Sequence, residues 1–377
     1  MKWWEVHKMA DWVDDYLQRV IEKVAVEMQH LDGKTPYIPY DGRYSDVVVE
    51  RGADWWTNGF WGGLLWQVYS ATKRQPFLET AIIQEKRLNR ALATFNDIHH
   101  DVGFMWLLTA VAHYRVTGDQ QAYRTGLHAA NLLAGRFNIE GQFLVAWNDH
   151  PGWVIIDSMM NIQLLYWASQ QTGDPRFKKI ATHHADTVAQ YLVREDGSVG
   201  HIASFDADTG QFIELLAGQG VSSNSAWSRG NAWAIYGFAL TYRQTKNQKY
   251  LRLAEKIAQY FSQQIEQSNH IPLADFRAPA EPRLHDASAG MIAACGFLEL
   301  ALWVDSKQSI EYTMIAKKIL HSTAQQYGNW GEEEDGIIGG GTEAYHRPAT
   351  YEVPLIYADY FFTEALLRLK KKALFIW

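Results

Sequence analysis

Asp101, in His99-His100-Asp101-Val102-Gly103-Phe104-Met105, and Asp157, in Ile155-Ile156-Asp157-Ser158-Met159-Met160-Asn161, are the carboxylates whose neighbours give them chemistry. Each stands at the entrance of an apolar helical run, where an aspartate commonly serves as an N-cap. The surroundings point further. Ile155, Ile156, Met159 and Met160 would desolvate Asp157, and a second carboxylate nearby adds to the cost of ionising it. A carboxyl kept uncharged near neutral pH is a general acid. The His-His-Asp run also offers metal-ligand residue types. Adjacent residues on a helix point apart, however, and no third and fourth ligand stands at a fitting spacing, so imidazole neighbours of a carboxylate, and no metal, are expected. His183 and His184 fall on an amphipathic stretch and are expected far from the site.

A second group of residues could hold an anionic sugar. In Trp227-Ser228-Arg229-Gly230-Asn231-Ala232-Trp233, Arg229 offers a permanently charged planar fork suited to a carboxylate, flanked by two indoles; the plainer alternative is a structural ion pair. Trp55, Trp56 and Trp61 with Asn58 supply further aromatic platforms, interrupted by glycines that let a ligand approach the backbone.

The elements that position these residues form a repeat. An apolar helical run, a turn at Thr72, Thr117, Thr172, Thr245 or Asp305, and a second helix with charged residues between its apolar positions recur five times. Apolar-all-round helices are buried and amphipathic ones face water, so inner helices alternate with outer ones. An outer-type helix over residues 4–29 and an inner-type helix in "PLIYADYFFTEALLRL" remain, and pairing them makes six hairpins. The predicted fold is therefore all-α, an (α/α)6 toroid forming one domain over residues 1–377, with a small β-hairpin around His201. All segments preceding inner helices emerge on one rim, and the unusual residues fall there.

Composition narrows the function. A net charge of −7 without a broad basic run argues against nucleic acid and anionic lipid as partners. The single cysteine, Cys295, excludes disulfides and sits in an apolar run as a core residue. No apolar run approaches membrane-spanning length, the N-terminal residues suit an amphipathic helix and not a signal peptide, and a cytoplasmic protein is expected. The 16 tryptophans, 19 tyrosines and 16 phenylalanines supply flat surfaces of the kind sugar clefts use.

Taken in order, "WTNGFWGGLLW", "HHDVGFM", "IIDSMMNIQLLYWASQQTGDPRF", "WSRGNAWAIYGFAL" and "DASAGMIAACGFLELA" resemble the unsaturated glucuronyl hydrolases, bacterial (α/α)6 enzymes that act on saccharides left by polysaccharide lyases. The resemblance runs from about Trp56 to the last inner helix. It implies release of a 4,5-unsaturated glucuronic acid from the non-reducing end of an unsaturated di- or oligosaccharide, with no cofactor. It also implies that Asp157 is the proton donor and then the base, that Asp101 is the second essential carboxylate, and that Trp56, His201, Gln219, Trp227, Arg229 and Trp233 line the sugar subsite. Gly218 stands where some members carry a histidine before the glutamine. "GGGTEAYHRPATYE" lacks the serine and lysine pattern of sulfate-preferring members. Three alternatives remain: an unsaturated rhamnogalacturonyl hydrolase, a sugar epimerase or isomerase of the same toroid using histidines as acid and base, and a non-catalytic sugar-binding protein.

Overall fold

Four of the five repeat turns are built by one device. Thr72, Thr117, Thr172 and Thr245 donate their hydroxyls to the carbonyl four residues back at 2.8, 2.9, 2.7 and 2.8 Å. Each also accepts the backbone N–H two residues on. The hydroxyl thus closes one helix and holds the residue that opens the next. Asp119, Asp174 and Asn247 then cap the following helix, as does Asp305 in the fifth turn; such caps are each worth about 1 kcal/mol.

The computed structural model describes residues 3–95 and 97–377, with side chains from residue 12. Among these residues, outer helices run over Trp3–Leu31, Gln75–Leu88, Gln120–Ala134, Pro175–Tyr191, Gln248–Ile265 and Ser306–Tyr327. Inner helices run over Asn58–Thr72, 102–117, 158–172, Ser228–Thr245, Ala287–Leu300 and Ile356–Leu369. Each inner helix packs on the next, and the last packs on the first, so the inner ring closes. This is the expected (α/α)6 toroid, its sixth hairpin joining Trp3–Leu31 to Ile356–Leu369. The inner helix 102–117 contains a π-helical turn over Leu107–Val111. Cys295 is fully buried and donates its thiol to the Phe361 carbonyl at 3.3 Å. None of the described helices is long and apolar enough to cross a membrane.

Two features outside the helices shape the funnel. At the end with the short turns, the tail after the last helix folds inward. Gln67 makes two bonds with the Leu374 backbone, at 2.8 and 2.9 Å, and Trp377 lies parallel to Phe361 with centroids 5.9 Å apart. At the other end, the expected hairpin pairs Ile202–Phe205 with Phe212–Leu216. A third strand, Trp153–Ile155, joins it antiparallel, with Ile155 opposite Ile202. That register sets Asp157, two residues beyond Ile155, beside His201, one residue before Ile202, and the Ile156 N–H donates to the His201 carbonyl at 3.1 Å.

Candidate active site

Asp101 and Asp157 stand at the N-terminal ends of two inner helices that nearly touch, and neither spends its carboxyl on a capping hydrogen bond. Gly103 makes this approach possible, because a Cβ there would meet the Asn161 Cα at 2.3 Å. Asn161, fully buried, then ties the two helix starts together. Its Oδ1 accepts the Phe104 N–H at 2.7 Å, and its Nδ2 donates to Asp101 Oδ1 at 3.1 Å and to the Asp157 carbonyl at 3.3 Å.

The histidines before Asp101 converge on it. His99 Nδ1 lies 3.1 Å and His100 Nε2 3.4 Å from the same Asp101 Oδ2. The expectation that adjacent histidines diverge is corrected here: both lie ahead of the helix, which begins at Val102, and the ligand atoms of all three residues lie within 4.8 Å of one another. Burial pushes the His100 imidazole down to about 4, against the pull of Asp101. Burial would raise Asp101, but His100, His99 and the Asn161 hydrogen bond outweigh it and hold the carboxyl below its ordinary range. His100 is uncharged near pH 7, so there the Asp101 carboxylate is held by His99 and Asn161.

Asp157 is walled in by Ile155, Ile156, Met159 and Met160, none more than 3% exposed. Its own exposure is 8%, and its Oδ2 is buried without a hydrogen-bond partner. The next residue is braced from outside the ring. Ser158 Oγ donates to the Ile155 carbonyl at 2.5 Å and meets His184 Nε2 at 2.6 Å, while His184 Nδ1 accepts the Leu144 N–H at 2.9 Å. Burial pushes His184 down to about 3. His184 was expected far from the site. It reaches the Asp157 turn because it lies on the buried face of its outer helix.

A cavity of about 500 Å³ opens over both aspartates, within the usual range for small-ligand sites. Trp56, Asp101, Asp157, His201 and Gln219 line it. Trp227, Arg229 and Trp233 do not; they form the layer behind. Trp233 is fully buried against Phe104, with centroids 4.9 Å apart, and Trp227 lies under the His201 ring at 4.4 Å. Arg229, expected to meet an anionic sugar, is 1% exposed and fully engaged. Its Nη1 donates to Asp286 Oδ2 at 2.6 Å, Ser288 Oγ at 3.1 Å and the Thr342 carbonyl at 3.0 Å, and its Nη2 to the Glu343 carbonyl at 2.5 Å. The ion-pair alternative describes it.

Sequence reasoning missed Asn161 and His184, and it placed the segment over residues 339–352 on the rim without a role for Glu343 and Arg347, which line the cavity together with His346. Glu343 anchors that segment. Its carbonyl accepts Gln219 Nε2 at 2.7 Å, and its carboxylate accepts the Tyr37 hydroxyl at 2.9 Å and Arg347 Nη1 at 3.0 Å. Asn161 carried a readable signal, a polar residue four positions after Asp157 that follows two methionines and precedes Ile162.

A family model described as Glycosyl Hydrolase Family 88 matches residues 20–339. The "Unsaturated glucuronyl hydrolase" of Bacillus sp. (strain GL1) is 34% identical over 337 residues, covering 85% of this chain and 88% of that protein. The "Unsaturated chondroitin disaccharide hydrolase" of Streptococcus agalactiae serotype III (strain NEM316) is 29% identical over 380 residues, covering 95% and 92%. The crystal structure of the Bacillus sp. GL1 enzyme, described as responsible for the degradation of glycosaminoglycan, superposes with a TM-score of 0.90 at 31% identity, covering 96% of this chain and 97% of that one. A Streptococcus agalactiae enzyme carrying an aspartate-to-asparagine substitution and complexed with dGlcA-GalNAc6S superposes with a TM-score of 0.83 at 26% identity, covering 97% and 93%.

Proposed function

This chain belongs to glycosyl hydrolase family 88, and on that footing we propose that its two-aspartate cavity cleaves a 4,5-unsaturated glucuronic acid from the non-reducing end of lyase-generated oligosaccharides. The chain is a glycoside hydrolase acting on unsaturated glucuronyl residues. The observation that carries the residue assignment is that Asp101 and Asp157 open into one cavity, are linked through Asn161, and have unlike surroundings.

The bond under attack is an enol ether, a C4=C5 double bond conjugated to the C6 carboxylate and joined to the ring oxygen. Such a bond takes a proton before it takes a nucleophile. In our reading Asp157 gives its proton to C4, and positive charge develops at C5 and the ring oxygen. The Asp157 carboxylate then draws a proton from a water that adds at C5. The hemiketal formed opens and expels the partner sugar. Asp101, ionised and fixed by His99 and Asn161, stabilises the developing positive charge and holds ring hydroxyls. The separation rule for paired carboxyls in ordinary glycoside hydrolysis does not apply, because the reacting carbon is not the anomeric one. No metal and no cofactor enter this reading. The proposed partner is an unsaturated di- or oligosaccharide, with neither nucleic acid nor membrane, and the proposed compartment is the cytoplasm.

The test is a panel of lyase-generated disaccharides, sulfated and unsulfated, followed by near-ultraviolet absorbance. Loss of the conjugated double bond with release of the second sugar supports the proposal. Unchanged absorbance with a change in a saturated sugar would favour the epimerase alternative instead.

A further inference from the structure

His201 faces Asp157 through an unusual pair of atoms. Its Nε2 lies 3.6 Å from Asp157 Oδ2, and both atoms are buried without a hydrogen-bond partner. The other ring nitrogen is occupied, since Nδ1 receives the backbone N–H of Gln219 at 2.9 Å. An N–H can be received only by a nitrogen lone pair, so Nδ1 carries no hydrogen and the ring's proton is on Nε2. The Nε2–H is therefore the donor nearest Oδ2 at 3.6 Å, a pairing in which Oδ2 can serve only as an acceptor.

The ring is clamped in this pose. Trp227 packs against it with centroids 4.4 Å apart, and Gly218 closes on its Nδ1 edge. A Cβ on Gly218 would meet His201 Nδ1 at 1.8 Å, and Gly218 has φ +56, a conformation that also disfavours a side chain. The loop that presents the Gln219 N–H is itself anchored, because Asp275 accepts the N–H groups of Val221 and Ala226 at 2.9 and 3.0 Å.

The geometry points to His201 as a positioning residue that sorts the two oxygens of Asp157: Oδ2 is kept as the acceptor, so the proton that leaves for C4 is carried by Oδ1. The inference rests on the proposed role of Asp157. After transfer, the same Nε2–H meets the new carboxylate, and the 3.6 Å gap closes to a hydrogen bond as the complex tightens. Gly218 belongs to this device, since its missing side chain is what leaves room for the ring.

The experiment separates the two ends of the imidazole. His201→Gln keeps a donor at the Nε2 position, whereas His201→Asn keeps only the acceptor for Gln219. Turnover is followed by loss of the near-ultraviolet absorbance of an unsaturated chondroitin disaccharide. The Gln variant is expected to keep at least about a tenth of wild-type kcat, and the Asn variant to lose about a hundredfold in kcat with KM within about threefold, the scale of a misplaced reacting group. Gly218→Ala should match the Asn variant, and the double variant His201→Asn/Gly218→Ala should be no worse than either alone. Nitrogen-15 labelling of histidine should place the His201 proton on Nε2. Equal losses in the Gln and Asn variants, a loss confined to KM, or a proton on Nδ1 overturns the inference. Should Gly218→Ala fail to fold, the two His201 variants and the labelling decide alone. An Asp157→Asn control keeps the failures apart: if that variant is fully active the site reading itself falls, and if it is inactive while His201→Asn is normal only the positioning role falls.

Discussion

Replacing Asn161 by alanine removes three bonds in one step, and their sizes set the expectation. The Phe104 N–H, 2.7 Å from Asn161 Oδ1, loses its only partner in a buried setting, which costs about 1–3 kcal/mol. Asp101 loses a hydrogen bond to a charged group, worth about 1.5–3 kcal/mol where the carboxylate is ionised. At roughly 2.1 cal/mol/K of unfolding entropy per residue, a chain of 377 residues shifts Tm by about 1.3 °C per kcal/mol. Asn161→Ala should therefore lower Tm by about 3–8 °C in a calorimetric or dye-based melt. If the bond to Asp101 persists into the transition state, kcat/KM should fall about 10- to 150-fold in the absorbance assay. The pH profile should move as well. Asp101 is held below its ordinary range partly by this bond, so without it the carboxyl protonates at higher pH, and the acidic limb of activity shifts upward. A variant with kcat/KM within twofold of wild type and an unmoved acidic limb would refute the claim that Asn161 fixes Asp101.

Two other perturbations test the surroundings. Arg229→Ala leaves Asp286 charged and fully buried, which costs about 3–5 kcal/mol, so a fall in Tm of about 4–6 °C should accompany any loss of substrate affinity; a raised KM at unchanged Tm would return Arg229 to the sugar subsite. Asp359, in the first turn of the last inner helix, lies beside Glu27, and burial, against hydrogen bonds from Ile338, Ile337 and Tyr44, pushes it up to about 7. A carboxyl raised in the folded state contributes stability that is complete below about 4 and lost as pH rises through about 7. Asp359→Asn should thus gain on wild type in Tm at pH 8 and lose that advantage at pH 4; an advantage equal at both pH values would contradict this.

The toroid could be read from the chain because its determinants are local. The threonine turns recur at Thr72, Thr117, Thr172 and Thr245, and the contrast between apolar and amphipathic helices is written within each hairpin. Asp101 and Asp157 were legible for the same reason, each sitting at a helix entrance with distinctive neighbours. What escaped depends on residues far apart in sequence. His184 reaches Ser158 across 26 positions, Glu343 meets Gln219 across 124, and Arg229 meets Asp286 across 57. Nothing local to Arg229 distinguishes a guanidinium awaiting a ligand from one already paired. The convergence of His99 and His100 was misjudged because a helix was assumed one turn too early. The strand Trp153–Ile155 is only three residues long, too short for alternation to reveal it.

The most direct measurement of the central claim is single-turnover kinetics of Asp157→Asn on an unsaturated disaccharide, with binding measured separately by calorimetry. An amide cannot give up a proton to C4 but fills the same space. The expected result is a Kd within a few-fold of wild type and turnover slowed at least about a hundredfold. Turnover within threefold of wild type would contradict the account, because the double bond would then be receiving its proton from another group.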